Sequence, residues 1–298
     1  MVSIRNSLDK KHAFLIGAYK NPDYLKGLIL SLNSPSSNIY VHINRYNFME
    51  FKEIINFFGK YDNIHFYSAV KVKWGGSSLL DSIAYLVGKS LEDSKNQYFH
   101  LITGQDILIR PLNELFDFFI QNKGVNFLSF ERLPGYEMNR YLLYHLYDIL
   151  NVRHNKLTYL CETAFVKLQK LFNIKRKQVC NEMYWGSGWW SLQRDALEYL
   201  FESIKNRYRK YIRNTFAPDE MICQTILLNA ENKFNIVNDN LRYMIWNGSS
   251  GPKILDQNDY ESIVNSNSFF ARKVEPEISG DLIKLIEKYR NTKNNGLL

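Results

Sequence analysis

Four short segments carry residue types that packing alone seldom calls for. Trp74-Gly75-Gly76-Ser77 sets a large aromatic against flexible backbone, the makings of a wall on which a base or a sugar could stack. Thr103-Gly104-Gln105-Asp106 follows a strongly apolar run and puts a carboxylate at its end. Trp185-Gly186-Ser187-Gly188-Trp189-Trp190 gathers tryptophans around two glycines. Indole faces join apolar contact to an N–H donor, a pairing suited to sugar rings, and a core hairpin with aromatic cross-strand pairs would use the same residues. Pro218-Asp219-Glu220 opens a helical pattern, where two acids either complement the positive helix end or stand ready for proton transfer.

Other chemistries fail on spacing. Gly75-Gly76 precedes a helical run whose N-terminus could receive a phosphate, yet the chain has neither GxxxxGK[ST] nor GxGxxG. Gly186-Ser187-Gly188 is not a GxSxG elbow, and the histidines show no HExxH spacing. His42, at the end of an apolar run, reads as a scaffold histidine. Cys161, Cys180 and Cys223 form no CxxC, which points to neither a disulfide framework nor a zinc site and to a reduced, intracellular setting.

The elements that must position these residues follow from hydrophobic periodicity. Strand candidates are 12–19, 39–43, 64–67, 98–102 and 125–130; between them lie helical patterns at 21–32 (capped by Asn21 or Asp23), 48–59, 77–91 and 111–121. Such alternation predicts βαβ units and a mostly parallel sheet with helices on both faces, whose ligands sit at the carboxyl ends of the strands. Residues 134–179 read as helical, with a basic cluster at Lys175-Arg176-Lys177. Strands at 184–192, 241–246 and 269–274, helices at 194–205 and 218–229, and a C-terminal helix to about residue 290 complete the chain. A single domain over 1–298 is expected, with an N-terminal half (1–133), a helical insertion (134–182) and a C-terminal half (183–298).

Charge narrows the partners. With 38 Lys+Arg against 30 Asp+Glu, the formal +8 favours an anionic partner: nucleic acid, anionic lipid or a phosphorylated substrate. No helix-turn-helix or RNA-binding motif is present, so nucleic acid is not expected. Arg5, Lys10 and Lys11 precede the apolar stretch 13–19, which is too short for a signal-peptide core and reads as a first buried strand. No apolar run approaches the ~18–20 residues of a membrane span.

Taken together and in order, VHIN (41–44), WGGSSLL (74–80), TGQDILIRPL (103–112), WGSGWWSLQRDALEYL (185–200), PDEMICQTILLN (218–229), LRYMIW (241–246) and FFARKV (269–274) resemble the core-2/I-branching β-1,6-N-acetylglucosaminyltransferases, glycosyltransferase family 14, which also holds peptide O-xylosyltransferases. The resemblance implies a nucleotide-diphospho-sugar transferase (GT-A-like) α/β fold, an inverting mechanism and a UDP-sugar donor. It departs at Asn44, where the family has Asp, and at Gly17-Ala18-Tyr19-Lys20, where the first strand usually ends in a His-containing motif. The chain is most similar to bacterial members associated with surface-polysaccharide assembly, which implies a cytoplasmic enzyme, peripheral at the inner face of the membrane, with a saccharide acceptor that is lipid-linked.

By the same match Glu220 is the expected catalytic base, and Gln105 and Asp106 lie at the donor-sugar end of the sheet. Asn44, Arg45, Trp74 and Gly75 would line the nucleoside pocket. Glu131, Arg132, Trp185, Trp189 and Trp190 are expected on the acceptor side. The chain has no Asp-x-Asp pair, so the departing diphosphate needs another cation; Arg272 and Lys273, with Lys253 as a second source, are the candidates, and no metal is expected. N-acetylglucosamine in β-1,6 linkage is the expected transfer, with xylose or another hexose on the same scaffold as the alternative, and a non-catalytic carbohydrate-binding protein as the reading from another class.

Overall fold

A computed structural model describes residues 11–153, 155–180, 182–248, 251–294 and 296; Arg5 and Lys10 of the basic N-terminal run lie outside them. The first strand, β1 (Lys11–Ala18), is apolar on both faces, as a strand covered on both sides must be. Phe14, Ile16 and Ala18 join one core; Ala13 and Leu15 join another on the opposite face. Around it lie β2 (Ser37–Ile43), β3 (Ile64–Tyr67), β4 (Asn96–Thr103), β6 (Val125–Leu128), β9 (Trp190–Gln193) and β10 (Asn235–Asn238), while β5 (Asp106–Leu108), β7 (Glu131–Arg132), β8 (Tyr184–Trp185), β11 (Arg242–Tyr243) and β12 (Phe270–Arg272) build smaller sheets. The large sheet runs β10-β6-β9-β4-β1-β2-β3. All its pairings are parallel except those of β9, which is antiparallel to both β4 and β6.

Helices cover both faces. On one lie α1 (Pro22–Leu32), α2 (Lys52–Phe58) and α4 (Leu112–Gln121), whose Leu25, Ile54 and Phe119 are buried. On the other lie α3 (Ser77–Leu91), α7 (Arg194–Ser203) and α9 (Ile222–Leu228). The expected α/β architecture is therefore present. Five more α-helices lie among the described residues: α5 (Asn139–Leu142), α6 (Lys156–Leu171), α8 (Arg209–Ile212), α10 (Tyr260–Val264) and α11 (Pro276–Asn294).

Several expectations need correction. Among the described residues of 134–179, helix is confined to α5 and α6, and Leu143, His145 and Val152 are buried in the irregular chain between them. The strand expected at 184–192 is two strands in different sheets, split at Gly186–Trp189. The helix expected at 218–229 breaks into a 3₁₀ turn, Pro218–Glu220, and α9, after an Ala217 with φ 47°. Neither Asn21 nor Asp23 caps α1 through its side chain; Asn21 is left-handed, and its carbonyl accepts from Leu25 N–H. The basic run at 175–177 is not one patch. Arg176 is half-buried, donates to Tyr211 O (2.8 Å) and Asn214 O (3.3 Å), and stacks on Tyr144.

Candidate active site

The chemistry-bearing segments converge beyond the carboxyl ends of β1, β2 and β4, where an open parallel sheet leaves its crevice. At the end of β4, Thr103–Asp106 forms a tight turn: Asp106 Oδ2 accepts from Thr103 N–H and, at 3.0 Å, from Thr103 Oγ1. The turn launches β5, which pairs antiparallel with β12 so that Asp106 faces Arg272. Arg272 Nη1 stands 3.6 Å from Asp106 Oδ1, and the guanidinium lies 3.9 Å from the centre of the Trp189 ring. Arg272 is only 7% exposed, and its Nε and Nη1, like Asp106 Oδ1, have no hydrogen-bond partner among the described residues. Burial lowers the arginine's pKa and the Asp106 charge opposes that, yet a guanidinium stays protonated in any ordinary environment. The result is a buried cation with donors to spare.

A second group of cations adjoins the first. Glu275 receives Lys20 Nζ at 2.5 Å, Lys273 Nζ at 3.3 Å and a hydrogen bond from Gln105 Nε2. Gln105 Oε1 in turn accepts from Tyr19 Oη at 2.9 Å. Burial alone would raise the Glu275 carboxyl, but the hydrogen bonds and charges of Lys20 and Lys273 hold it below its ordinary value. Lys20, Tyr19 and Glu275 were not among the candidate residues. They come together with Lys273 only because β1 and β12 end at the same edge of the crevice.

The acidic turn is built from two loops that lock together. Gly75 is left-handed (φ 74°), and a Cβ there would press on Tyr147 and Phe216. Its carbonyl accepts from Ala217 N–H at 2.8 Å. Gly186 approaches so closely that a Cβ would meet Ser129 O at 2.0 Å, and its N–H donates to Glu220 O at 2.8 Å. Arg140 donates from Nη2 to Glu220 Oε2 at 2.6 Å and lies over the Phe216 ring at 4.8 Å. The Glu220 side chain remains 39% exposed, and among the described residues nothing donates to its Oε1. Its neighbour Asp219 is raised from 3.8 to about 7, first by burial and then by the Glu220 charge. The two carboxyls are thus unlike: Glu220 is anchored and accessible, while Asp219 lies against Gly188.

The family model for the Core-2/I-Branching enzyme matches residues 13–267. The chain belongs to the Core-2/I-Branching enzyme family. Xylosyltransferase 1 of Rattus norvegicus is 24% identical over 84% of this chain and 32% of its own length. Xylosyltransferase oxt of Drosophila melanogaster is 22% identical over 88% and 31% respectively. The chain therefore spans about a third of the curated relatives it matches. A solved structure described as a glucose-1-phosphate thymidylyltransferase from Bacillus anthracis superposes with a TM-score of 0.37 at 11% identity, covering 76% of this chain and 86% of that one, too loosely to carry an argument.

Within this Core-2/I-Branching member, the candidate residues divide. Gln105, Asp106, Trp189, Arg272 and Lys273 are joined by contacts at the ends of β4 and β12, and Glu220 is tied to the same loop as Trp189 through Gly186. Trp74 is 43% exposed at its rim, with Arg153 stacked on it at 4.5 Å. Trp185 is half-buried, its Nε1 unpartnered among the described residues, in the two-stranded antiparallel sheet where Glu131 and Arg132 are exposed and Arg132 pairs with Glu182 at 3.1 Å. Trp190 does not belong with them. It is fully buried in the sheet, because the strand it opens alternates and turns its ring into the core. Trp189 is only partly buried against the same core, and its ring carries Arg272, so its placement is on the cation side.

Other expected contacts are already engaged. Asn44 clamps the backbone of Val72, donating to its carbonyl at 3.0 Å and accepting from its N–H at 3.1 Å, while Arg45 is exposed beside it. Lys253 places its ammonium on Asp259 at 2.8 Å, and only its backbone touches Lys273. The N-terminus of α3, which could have received a phosphate, is occupied by a carboxylate: Asp148 accepts from Ser77 N–H at 2.6 Å and from Ser77 Oγ at 3.0 Å. His42 is buried, accepts from Val70 N–H and is pushed down to about 4 by burial, as befits a scaffold histidine. The crevice also rests on Arg242, absent from the candidates, which ties Trp190 O, Leu101 O and Ser191 Oγ together beneath Phe270.

Proposed function

We propose that this chain is an inverting glycosyltransferase that moves a sugar from a UDP-sugar to a hydroxyl of a saccharide acceptor, with N-acetylglucosamine and a β-1,6 linkage as the first donor and linkage to try. The observation that carries this reading is the loop 185–189, which touches Glu220 through Gly186 at one end and Arg272 through Trp189 at the other. One loop thus contacts both the expected base and the expected cation, an arrangement that supports a single displacement.

In that displacement, Glu220 takes the proton of the acceptor hydroxyl as its oxygen bonds to the anomeric carbon. The bond from that carbon to the diphosphate breaks, and the electron pair leaves on UDP. Attack from the face opposite the leaving group inverts the anomeric centre. Arg140 keeps the Glu220 carboxylate aimed. Arg272, Lys273 and Lys20 stabilise the growing negative charge on the diphosphate, a task that many transferases give to a metal ion. Arg272 has unpartnered donors and Lys20 and Lys273 hold only one carboxylate between them, so the group retains positive charge. On this reading no metal is needed.

A second donor has an observation in its favour. The relatives matched above are named xylosyltransferases, which makes UDP-xylose the first alternative. Incubation with a panel of UDP-sugars and saccharide acceptors, followed by NMR of the product, tests both. A β-linked product from an α-configured donor is expected; an α-linked product, or none with any donor, would contradict the proposal.

A further inference from the structure

The helix α6 leaves its leucines outside. The side facing the protein carries two buried polar residues beside the half-buried Phe165 and Val166: Glu162 accepts from Leu146 N–H at 2.8 Å and pairs with His145 Nδ1 at 2.6 Å, and Gln169 exchanges two hydrogen bonds with the backbone of Tyr144, each 2.8 Å. The opposite side carries the leucines. Leu157, Leu160, Leu168 and Leu171 are 68%, 63%, 52% and 76% exposed, and Phe172, just past the helix, is 68% exposed. Leu157, Leu168 and Leu171 fall on a single stripe at the 3.6-residue period, with Leu160 and Phe172 widening it on either side. An amphipathic helix normally buries that stripe. Here nothing described covers it.

Charge indicates what does. Lys156, Lys167 and Lys170 are all exposed and run along one edge of the stripe, with exposed Lys175 and Lys177 beyond its end. The helix's one acidic residue, Glu162, is buried. A second copy of α6 laid against the first would bring lysine rows together with no acidic side chain on the helix to meet them. An apolar face edged by lysines matches an anionic bilayer instead, where leucines enter the boundary between headgroups and acyl chains and lysines reach acidic headgroups.

We propose that α6 docks this protein on an anionic lipid surface through its Leu157–Leu171 face. The helix is coupled to the site: His145, held by Glu162, packs near Phe216 (6.1 Å between ring centres), and Phe216 carries Arg140, the partner of Glu220. Docking would therefore set the membrane on the Arg140 side of the crevice, a placement suited to an acceptor carried on a lipid. The inference does not rest on the transfer reading, because binding alone tests it.

The test uses the full chain with sedimenting vesicles of phosphatidylcholine, with and without phosphatidylglycerol, at low salt. The protein is expected to pellet with the mixed vesicles and about tenfold less with the neutral ones. Leu168→Gln with Leu171→Gln should weaken that binding about tenfold while leaving the melting temperature and UDP binding unchanged, since both side chains are already in water. Equal pelleting by wild type and double variant would overturn the proposal, as would no pelleting at all. So would a wild-type dimer in sedimentation equilibrium that the double variant dissociates, which would assign the face to a second copy.

Discussion

The Arg272 guanidinium sits over Trp189, 3.9 Å from the ring centre, with its Nη1 3.6 Å from Asp106 Oδ1. An arginine this buried is costly unless the surroundings hold it, and here an aromatic face and one carboxylate do so while leaving Nε and Nη1 unpartnered. Trp189→Ala removes the face, worth about 0.5–2 kcal/mol for such a contact, and admits water to the guanidinium. UDP affinity should fall several-fold, with a drop of a few degrees in melting temperature. Calorimetric titration with UDP checks this; an unchanged Kd would detach Trp189 from the donor site.

The neighbouring tryptophan should behave differently. Trp190→Ala empties a fully buried position in the second core and should cost about 3–5 kcal/mol of stability. Denaturant unfolding measures it. A variant as stable as wild type with weakened acceptor binding would return Trp190 to the acceptor side.

Asp219 makes a pH prediction with a definite sign. Its carboxyl is raised from 3.8 to about 7 in the folded chain, first by burial and then by the Glu220 charge, so the folded state holds a proton that the unfolded chain has released. Its contribution to stability is fully present below pH 3.8 and is lost as pH rises towards 7. Asp219→Asn, which cannot ionise, should flatten that decline. Melting curves at intervals from pH 4.5 to 8 for both proteins would show it, and parallel profiles would place the proton elsewhere.

If Lys273, Lys20 and Arg272 take the place of a metal, transfer persists in excess EDTA and gains little from Mn²⁺. Lys273→Ala should weaken UDP binding and slow turnover together, because one cation meets the ground-state diphosphate and its more charged departing form. Rescue of that variant by Mn²⁺, or silencing of wild type by EDTA, would reveal a metal site.

Much of the fold was readable because the strands flanking β1 have apolar centres, Ile39-Tyr40-Val41 and Leu101-Ile102, and are separated by helical repeats. The misses have local causes. Asn235-Ile236-Val237-Asn238 forms the sheet's edge strand although two of its four residues are polar, so it carries no core pattern. Residues 184–192 look like one strand because nothing in sequence shows that Gly186 meets Ser129 and splits the run. α6 misleads in the other direction, since its periodicity marks a face that is not buried. In the site, Glu220, Asp106 and Arg272 could be named from their motifs. Lys20 and Arg140 could not: their partners Glu275 and Glu220 lie 255 and 80 residues away, and no spacing rule spans such distances.

The most direct test is of Glu220 as the base. Glu220→Gln keeps the size and the polar contact with Arg140 but cannot accept the acceptor's proton. Steady-state transfer from a UDP-sugar to a saccharide, measured for both proteins together with UDP affinity, separates chemistry from binding. The account predicts a kcat lower by roughly 10²-fold or more with the UDP Kd within a few-fold of wild type. A Glu220→Gln variant that turns over at the wild-type rate would contradict it and move the search for the base to Asp219 or Asp106.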